Sequence, residues 1–151
     1  MQKRNPKILC LYAADFVPSE PLTSLNGTEI GFSYGVLPSS PNPKGNIMSV
    51  IHWASNYALS VGGLEKLYIV CHAQGPYLQI GAPGINPWNV EEIGRVLKGK
   101  VKVIDMYCCD LANSPEFCRK LAAASRATVK AYPIKVLAWP ILYSASAPLY
   151  F

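Results

Sequence analysis

The chain alternates between short, fully apolar runs and longer stretches with a helical period. Ile8-Leu-Cys-Leu-Tyr-Ala-Ala14 is apolar throughout and stops at Asp15. A run of that length without polar alternation predicts a strand buried on both faces. Lys66-Leu-Tyr-Ile-Val-Cys71, with His72 directly after it, predicts a second such strand, and Val101 to Tyr107, followed by Cys108-Cys109-Asp110, a third. Thr128 to Tyr132 predicts a fourth, and Val136 to Tyr143 a fifth, broken by Pro140. Between these runs the period changes. Ile47, Val50, Ile51, Ala54, Tyr57, Ala58 and Val61 share one helical face, and Gly62-Gly63 ends that helix. A second helix starts at Trp88 or Asn89, buries Val90, Ile93, Val96 and Leu97, and stops at Gly99. Ser114 as N-cap and Pro115 at the first helical position predict a third helix to about Arg126. Residues 18–46, dense in proline and glycine, predict an extended loop with a short hairpin in it. Tyr77 to Ile80 predicts a short strand after a Gly-Pro turn.

Strand, helix, strand, helix, strand, helix, strand is the order of an α/β fold with a mostly parallel sheet and helices on both faces, a three-layer α/β/α sandwich. At 151 residues, half of them hydrophobic and 15% charged, the sequence fits one globular domain, 1–151, and not a disordered chain. The net charge of +5 changes little. The basic residues are scattered, with no continuous basic face interleaved with exposed aromatics, so nucleic acid is not an expected partner.

Five cysteines occur, an odd number, without a CxxC pair or a His-rich spacing, so neither a zinc site nor any other metal or cofactor is expected. A core of this size needs no disulfide framework, and reduced thiols in the cytoplasm are the expectation. The basic N-terminus leads into a single strand's length of apolar residues ending at Asp15, which is not a signal peptide pattern. Val136 to Phe151 carries no charge and is too short to span a bilayer, so a final strand and an apolar tail are expected, with a partner-binding edge as the second option.

In an open α/β sheet, sites form beyond the carboxyl ends of the strands. Asp15, His72 and Cys109 each stand at such an end. If the second and third strands are neighbours, His72 and Cys109 face one crevice, and a base beside a thiol is what makes a usable thiolate near neutral pH.

The blocks LYIVCHAQG and VKVIDMYCCDLA, separated by a short strand and a helix, resemble the pattern of caspase-like cysteine peptidases. That group contains caspases, metacaspases, separase, gingipains, the self-cleaving domains of large bacterial toxins and bacterial CHAT-type domains. YLQIG and PEFCRKLAAASRATVKAY look like the bacterial CHAT-type members, and the resemblance covers about residues 7–132. It implies a flavodoxin-like core with a His-Cys dyad: His72 as general acid–base, Cys109 as nucleophile through an acyl-enzyme, and backbone N–H groups near Ala73 to Gly75 and at Cys109 for the oxyanion. The family places a small residue before the nucleophile, a place Cys108 fills, and strand alternation lets only one of the two cysteines meet His72. Where the family usually has Gly after the His, this chain has Ala73, with Gly75 two residues on. The resemblance also implies a substrate pocket at the end of the first strand. Asp15 there predicts cleavage after a basic residue, with Asp110 and Cys108 as further pocket residues.

Two other functions compete with a peptide-bond hydrolase. One is a catalytically inactive interaction module on the same fold, binding a protein partner through the apolar tail and the proline-rich loop. The other, a nucleotide binder, lacks its phosphate loop, since AADFVPSE after the first strand is not GxGxxG.

Overall fold

The computed structural model describes residues 4–16, 22–38, 43–133, 136–137, 143–144 and 147–151. In chain order the first elements are β1 (Ile8–Ala13), the short pair β2 (Ser24–Leu25) and β3 (Thr28–Glu29), β4 (Phe32–Val36) and α1 (Ile47–Ser60). Then come β5 (Leu64–Val70), the hairpin strands β6 (His72–Gln74) and β7 (Tyr77–Gln79), α2 (Val90–Leu97) and β8 (Val101–Tyr107). A single 3₁₀ turn at Leu111–Asn113 leads to α3 (Pro115–Ser125), β9 (Thr128–Ala131), β10 (Val136–Leu137), β11 (Tyr143–Ser144) and β12 (Leu149–Tyr150).

Six strands form the central sheet in the order β12-β9-β8-β5-β1-β4. All neighbours pair in parallel except β12, which runs antiparallel to β9. Numbered among the parallel strands alone, the order is 2-1-3-4-5, the flavodoxin-like arrangement, whose ligand crevice opens where the winding reverses. The three apolar runs singled out by sequence occupy the centre as β1, β5 and β8, because only a strand with neighbours and layers on every side buries an unbroken apolar sequence.

Each of these strands sends alternate side chains to opposite layers. Leu9, Leu11, Leu67, Ile69, Ile104 and Met106 meet the buried faces of α1, α2 and α3. Ile8, Cys10, Tyr68, Val70 and Tyr107 point the other way, where Leu22, Leu25 and Ile30 cover them. Helices on both faces were expected; among the described residues all three lie on one face. The winding gives the reason. The connections that advance from β4 through β5 and β8 to β9 run in one direction across the sheet, and right-handed crossovers of one direction land on one side. The link from β1 back to β4 runs the other way, and its covering residues at 22–30 form the β2–β3 hairpin and its flanks.

Most local signals act as written. Asn46 caps α1 by accepting the Ser49 N–H at 3.0 Å. Pro115 opens α3, although the Ser114 side chain makes no capping bond. β4 departs from the expected loop. Phe-Ser-Tyr-Gly-Val has one glycine in five residues and little apolar pattern, yet it pairs in register with β1 from Leu9↔Phe32 to Ala13↔Val36. The fifth strand is corrected too. Val136–Leu137 and Tyr143–Ser144 pair antiparallel with each other, outside the central sheet, and 138–142 lie outside the described residues. The edge position goes to Leu149–Tyr150, anchored further by Phe151 and Val129 exchanging backbone bonds at 2.8 and 3.0 Å.

Among the described residues a carboxylate is buried inside the sheet. Asp105, in the middle of β8, is fully buried on the face away from the helices. Tyr132 Oη donates to its Oδ2 at 3.3 Å and Lys130 Nζ stands 3.6 Å from the same oxygen. Burial pushes the Asp105 carboxyl above its usual range, with Lys130 and Lys66 pulling against that.

Candidate functional site

Strand register brings the candidate residues together. β5 and β8 pair from Leu64↔Val101 to Val70↔Tyr107, the last step of the ladder. Just past its end Cys71 lies beside Cys108, their Sγ atoms 3.4 Å apart, and His72 and Cys109 are the next residues of their respective segments. Side chains alternate along the way. Cys71 and Cys108 point into the helix-side core, whereas Cys109 borders the opposite cluster and stays partly exposed.

Cys108, expected as a pocket residue, is corrected by this alternation. It is fully buried, its Sγ set against Cys71 and within 3.6 Å of the Ile69 carbonyl, so it offers no surface to a substrate. Burial raises its thiol well above the ordinary value.

His72 opens the β6–β7 hairpin, pairs with Gln79 and is exposed. Its ring meets Phe16 edge-on, with centroids 4.2 Å apart. Phe16 packs against both core clusters, including the one that Cys109 borders, and so forms the wall behind the His72 ring. Among the described residues neither His72 nor Cys109 makes a side-chain hydrogen bond. The imidazole is held by its packing against Phe16.

The hairpin also exposes a backbone donor. Leu78 exchanges both its N–H and its C=O with Ile85, at 2.8 and 3.2 Å. Ala73, facing Leu78, therefore belongs to a non-hydrogen-bonded pair, and its N–H turns outward from the hairpin. Ala73 thus presents an outward-facing amide. Gly75 stands at the exposed tip with φ +56°, and Pro76 follows with its fixed negative φ. A positive φ at the first central position only is what a type II′ hairpin turn requires, and this explains the glycine.

Asp15 and Asp110 are both exposed. Asp15 follows β1 and lines a cleft of about 260 Å³ with Pro38, Tyr77, Gln79, Pro83 and Asn86. The cleft thus joins the end of β1 to the outer strand of the hairpin that starts at His72. Asp110 takes φ +57° at the turn between Cys109 and the 3₁₀ segment.

Sequence reasoning missed Phe16, the partners of Asp15 across the cleft, and the contact between Cys71 and Cys108. An aromatic residue just past a strand end was a visible signal for the first. For the last, Cys71 and Cys108 each close one of two strands expected to be neighbours, which was a signal for their contact.

No helix among the described residues is long and apolar enough to cross a membrane, and no three His, Cys, Asp or Glu side chains there converge as a metal ion would need. Comparison with protein-family models, with curated proteins and with solved structures gives no significant match.

Proposed function

We propose that this chain is a caspase-like cysteine peptidase domain that hydrolyses peptide bonds with a His72–Cys109 dyad. The observation that carries the reading is that β5 and β8 are paired neighbours up to Val70↔Tyr107, so His72 and Cys109 follow the carboxyl ends of two adjacent central strands, with Cys109 partly exposed. The flavodoxin-like strand order supports it, because sites in such sheets form at those ends.

In the proposed reaction His72 takes the Cys109 proton and the thiolate attacks the scissile carbonyl carbon. The developing oxyanion is held by the outward N–H of Ala73 and by backbone at Cys109. Collapse of the tetrahedral intermediate breaks the C–N bond, and His72 delivers its proton to the leaving amine. His72 then deprotonates a water that attacks the thioester. The C–S bond breaks, the acid product leaves, and the dyad is regenerated. Asp15, on the cleft that the β6–β7 hairpin also lines, would favour a Lys or Arg before the cut. Free cysteines, four of them buried, suit a reducing compartment, so we place the protein in the cytoplasm, with peptides or proteins as substrates and nucleic acid not among its partners.

Fluorogenic peptides ending in Arg, Lys or Asp test the reading. The expected result is cleavage after Arg or Lys, reduced at least about a thousandfold in Cys109→Ala and in His72→Ala. Asp15→Ala should lower the preference for a basic residue by about tenfold with cleavage retained, since one charge contact of about 1.4 kcal/mol is lost. Hydrolysis that survives Cys109→Ala would refute the mechanism. A second reading, an inactive interaction module, is favoured by the edge strand β12, where Leu149 and Tyr150 are 48% and 64% exposed. It predicts partner capture that ignores Cys109→Ala and fails on Tyr150→Ser.

A further inference from the structure

Directly before the two candidate catalytic residues lie two cysteines that the dyad does not use. Cys71 precedes His72 and Cys108 precedes Cys109, and both are fully buried in the helix-side core. Their Sγ atoms stand 3.4 Å apart. Cys10 and Cys118, buried to the same degree, make no sulfur–sulfur contact. Burial alone therefore does not account for the pairing; it follows from β5–β8 register.

We propose that Cys71 and Cys108 form a reversible disulfide site, closed by a hydroperoxide and reopened by a dithiol, that staples β5 to β8 beneath the candidate site. The geometry asks for little. Neighbouring strands lie about 4.8 Å apart, inside the range of about 4.4–6.8 Å over which a disulfide spans two Cα atoms. The sulfurs need to approach by about 1.4 Å to reach the S–S bond length of about 2.05 Å. The ladder ends at Val70↔Tyr107, and the Cys108 N–H already turns back to the Met106 carbonyl at 2.8 Å, so the approach breaks no sheet hydrogen bond.

Burial holds the Cys108 thiol well above its ordinary value, which slows direct attack on oxidant in the closed state. Reaction proceeds when the strand ends part, beside the partly exposed Cys109. One thiolate of the pair attacks a peroxide oxygen. The O–O bond breaks, water or an alcohol leaves, and a sulfenic acid forms. The second thiol attacks that sulfur, the S–O bond breaks, and water leaves. Two thiols lose two protons and two electrons, and one hydroperoxide is reduced. The cross-link fixes the two residues from which the His72 hairpin and the Cys109 turn spring.

Hydrolysis enters neither readout, so this inference stands or falls apart from the peptidase reading. The folded Cys109→Ser protein, which lacks the exposed competing thiol, is treated with hydrogen peroxide, blocked with iodoacetamide and digested without reduction. A Cys71–Cys108 cross-linked peptide is expected, lost on adding dithiothreitol. Closing a loop 37 residues long should also raise Tm by about 5 °C or more, a shift absent from Cys71→Ala. The wild-type chain provides a second measurement if either variant fails to fold. Cys71 and Cys108 left free in peroxide-treated Cys109→Ser, or, in the wild-type chain, a cross-link joining Cys108 to Cys109 instead, would overturn the proposal.

Discussion

Native-state alkylation separates the five cysteines by their surroundings. Cys10, Cys71, Cys108 and Cys118 are fully buried, whereas Cys109 is partly exposed. Access alone ranks Cys109 first. Ionisation widens the gap, because iodoacetamide reacts with the thiolate. Burial pushes the Cys118 thiol from 9.0 up to about 12, and three pH units mean about a thousandfold less thiolate at neutral pH than an ordinary thiol holds. Cys10 is raised further still, by burial and by the nearby Asp105 carboxylate. Brief treatment of the folded protein near pH 7, followed by denaturation, labelling with a second reagent and peptide mass analysis, should place the first adduct on Cys109 alone. If the proposed dyad operates, His72→Ala slows that adduct by about tenfold, while a denatured chain labels all five without order. Labelling of Cys10 or Cys118 at a comparable rate contradicts the burial pattern. A Cys109 rate indifferent to His72→Ala contradicts the dyad even with that pattern intact.

Two further predictions concern the scaffold. A Cβ on Gly94 would meet Ala124 Cβ at 2.6 Å and the Ser125 amide at 3.1 Å, where α2 packs on α3. Gly94→Ala gains about 1 kcal/mol of helix propensity but incurs about 1–3 kcal/mol of overpacking. A net loss of about 1 kcal/mol should appear as a Tm lower by about 2–4 °C, largely restored by adding Ala124→Gly. The Asp105 carboxyl is raised on folding, so the native chain binds its proton more tightly than the unfolded chain. The Asp105 contribution is therefore most favourable below the unfolded value of 3.8 and declines as pH rises through the folded value. Denaturant titrations of wild type and Asp105→Asn across that window should diverge, with wild type losing ground as pH rises; parallel curves would mean that the carboxyl titrates normally.

The candidate site was legible in the sequence because its parts sit at the ends of the strongest local signals. Strongly apolar segments name β1, β5 and β8, and Asp15, His72 and Cys109, one or two residues past them, are the groups the fold leaves at the carboxyl edge. Strand alternation lets only one of Cys108 and Cys109 meet His72, the resemblance pointed to Cys109, and the buried sulfur of Cys108 agrees with that choice. β4 was not legible: Phe32 to Val36 has neither clean alternation nor an unbroken apolar run, and becomes a strand because β1 has a free edge to pair with. The positions of Leu149 and Tyr150 follow from pairing with β9, again a contact between distant residues. Asp105 illustrates the same limit, since its strand reads as apolar and its partners come from β9 and the residue just after it.

By itself, then, the sequence determined which segments are strands and helices in the core, and which chemical groups end the central strands, because hydrophobic period and chain breaks act over a few residues. Only the tertiary structure decided the strand order that makes β5 and β8 neighbours, the side of the sheet on which the helices lie, and the sulfur contact between Cys71 and Cys108. Those depend on which strand edges meet and in which direction the chain winds, and pairing between segments tens of residues apart leaves no local period to read.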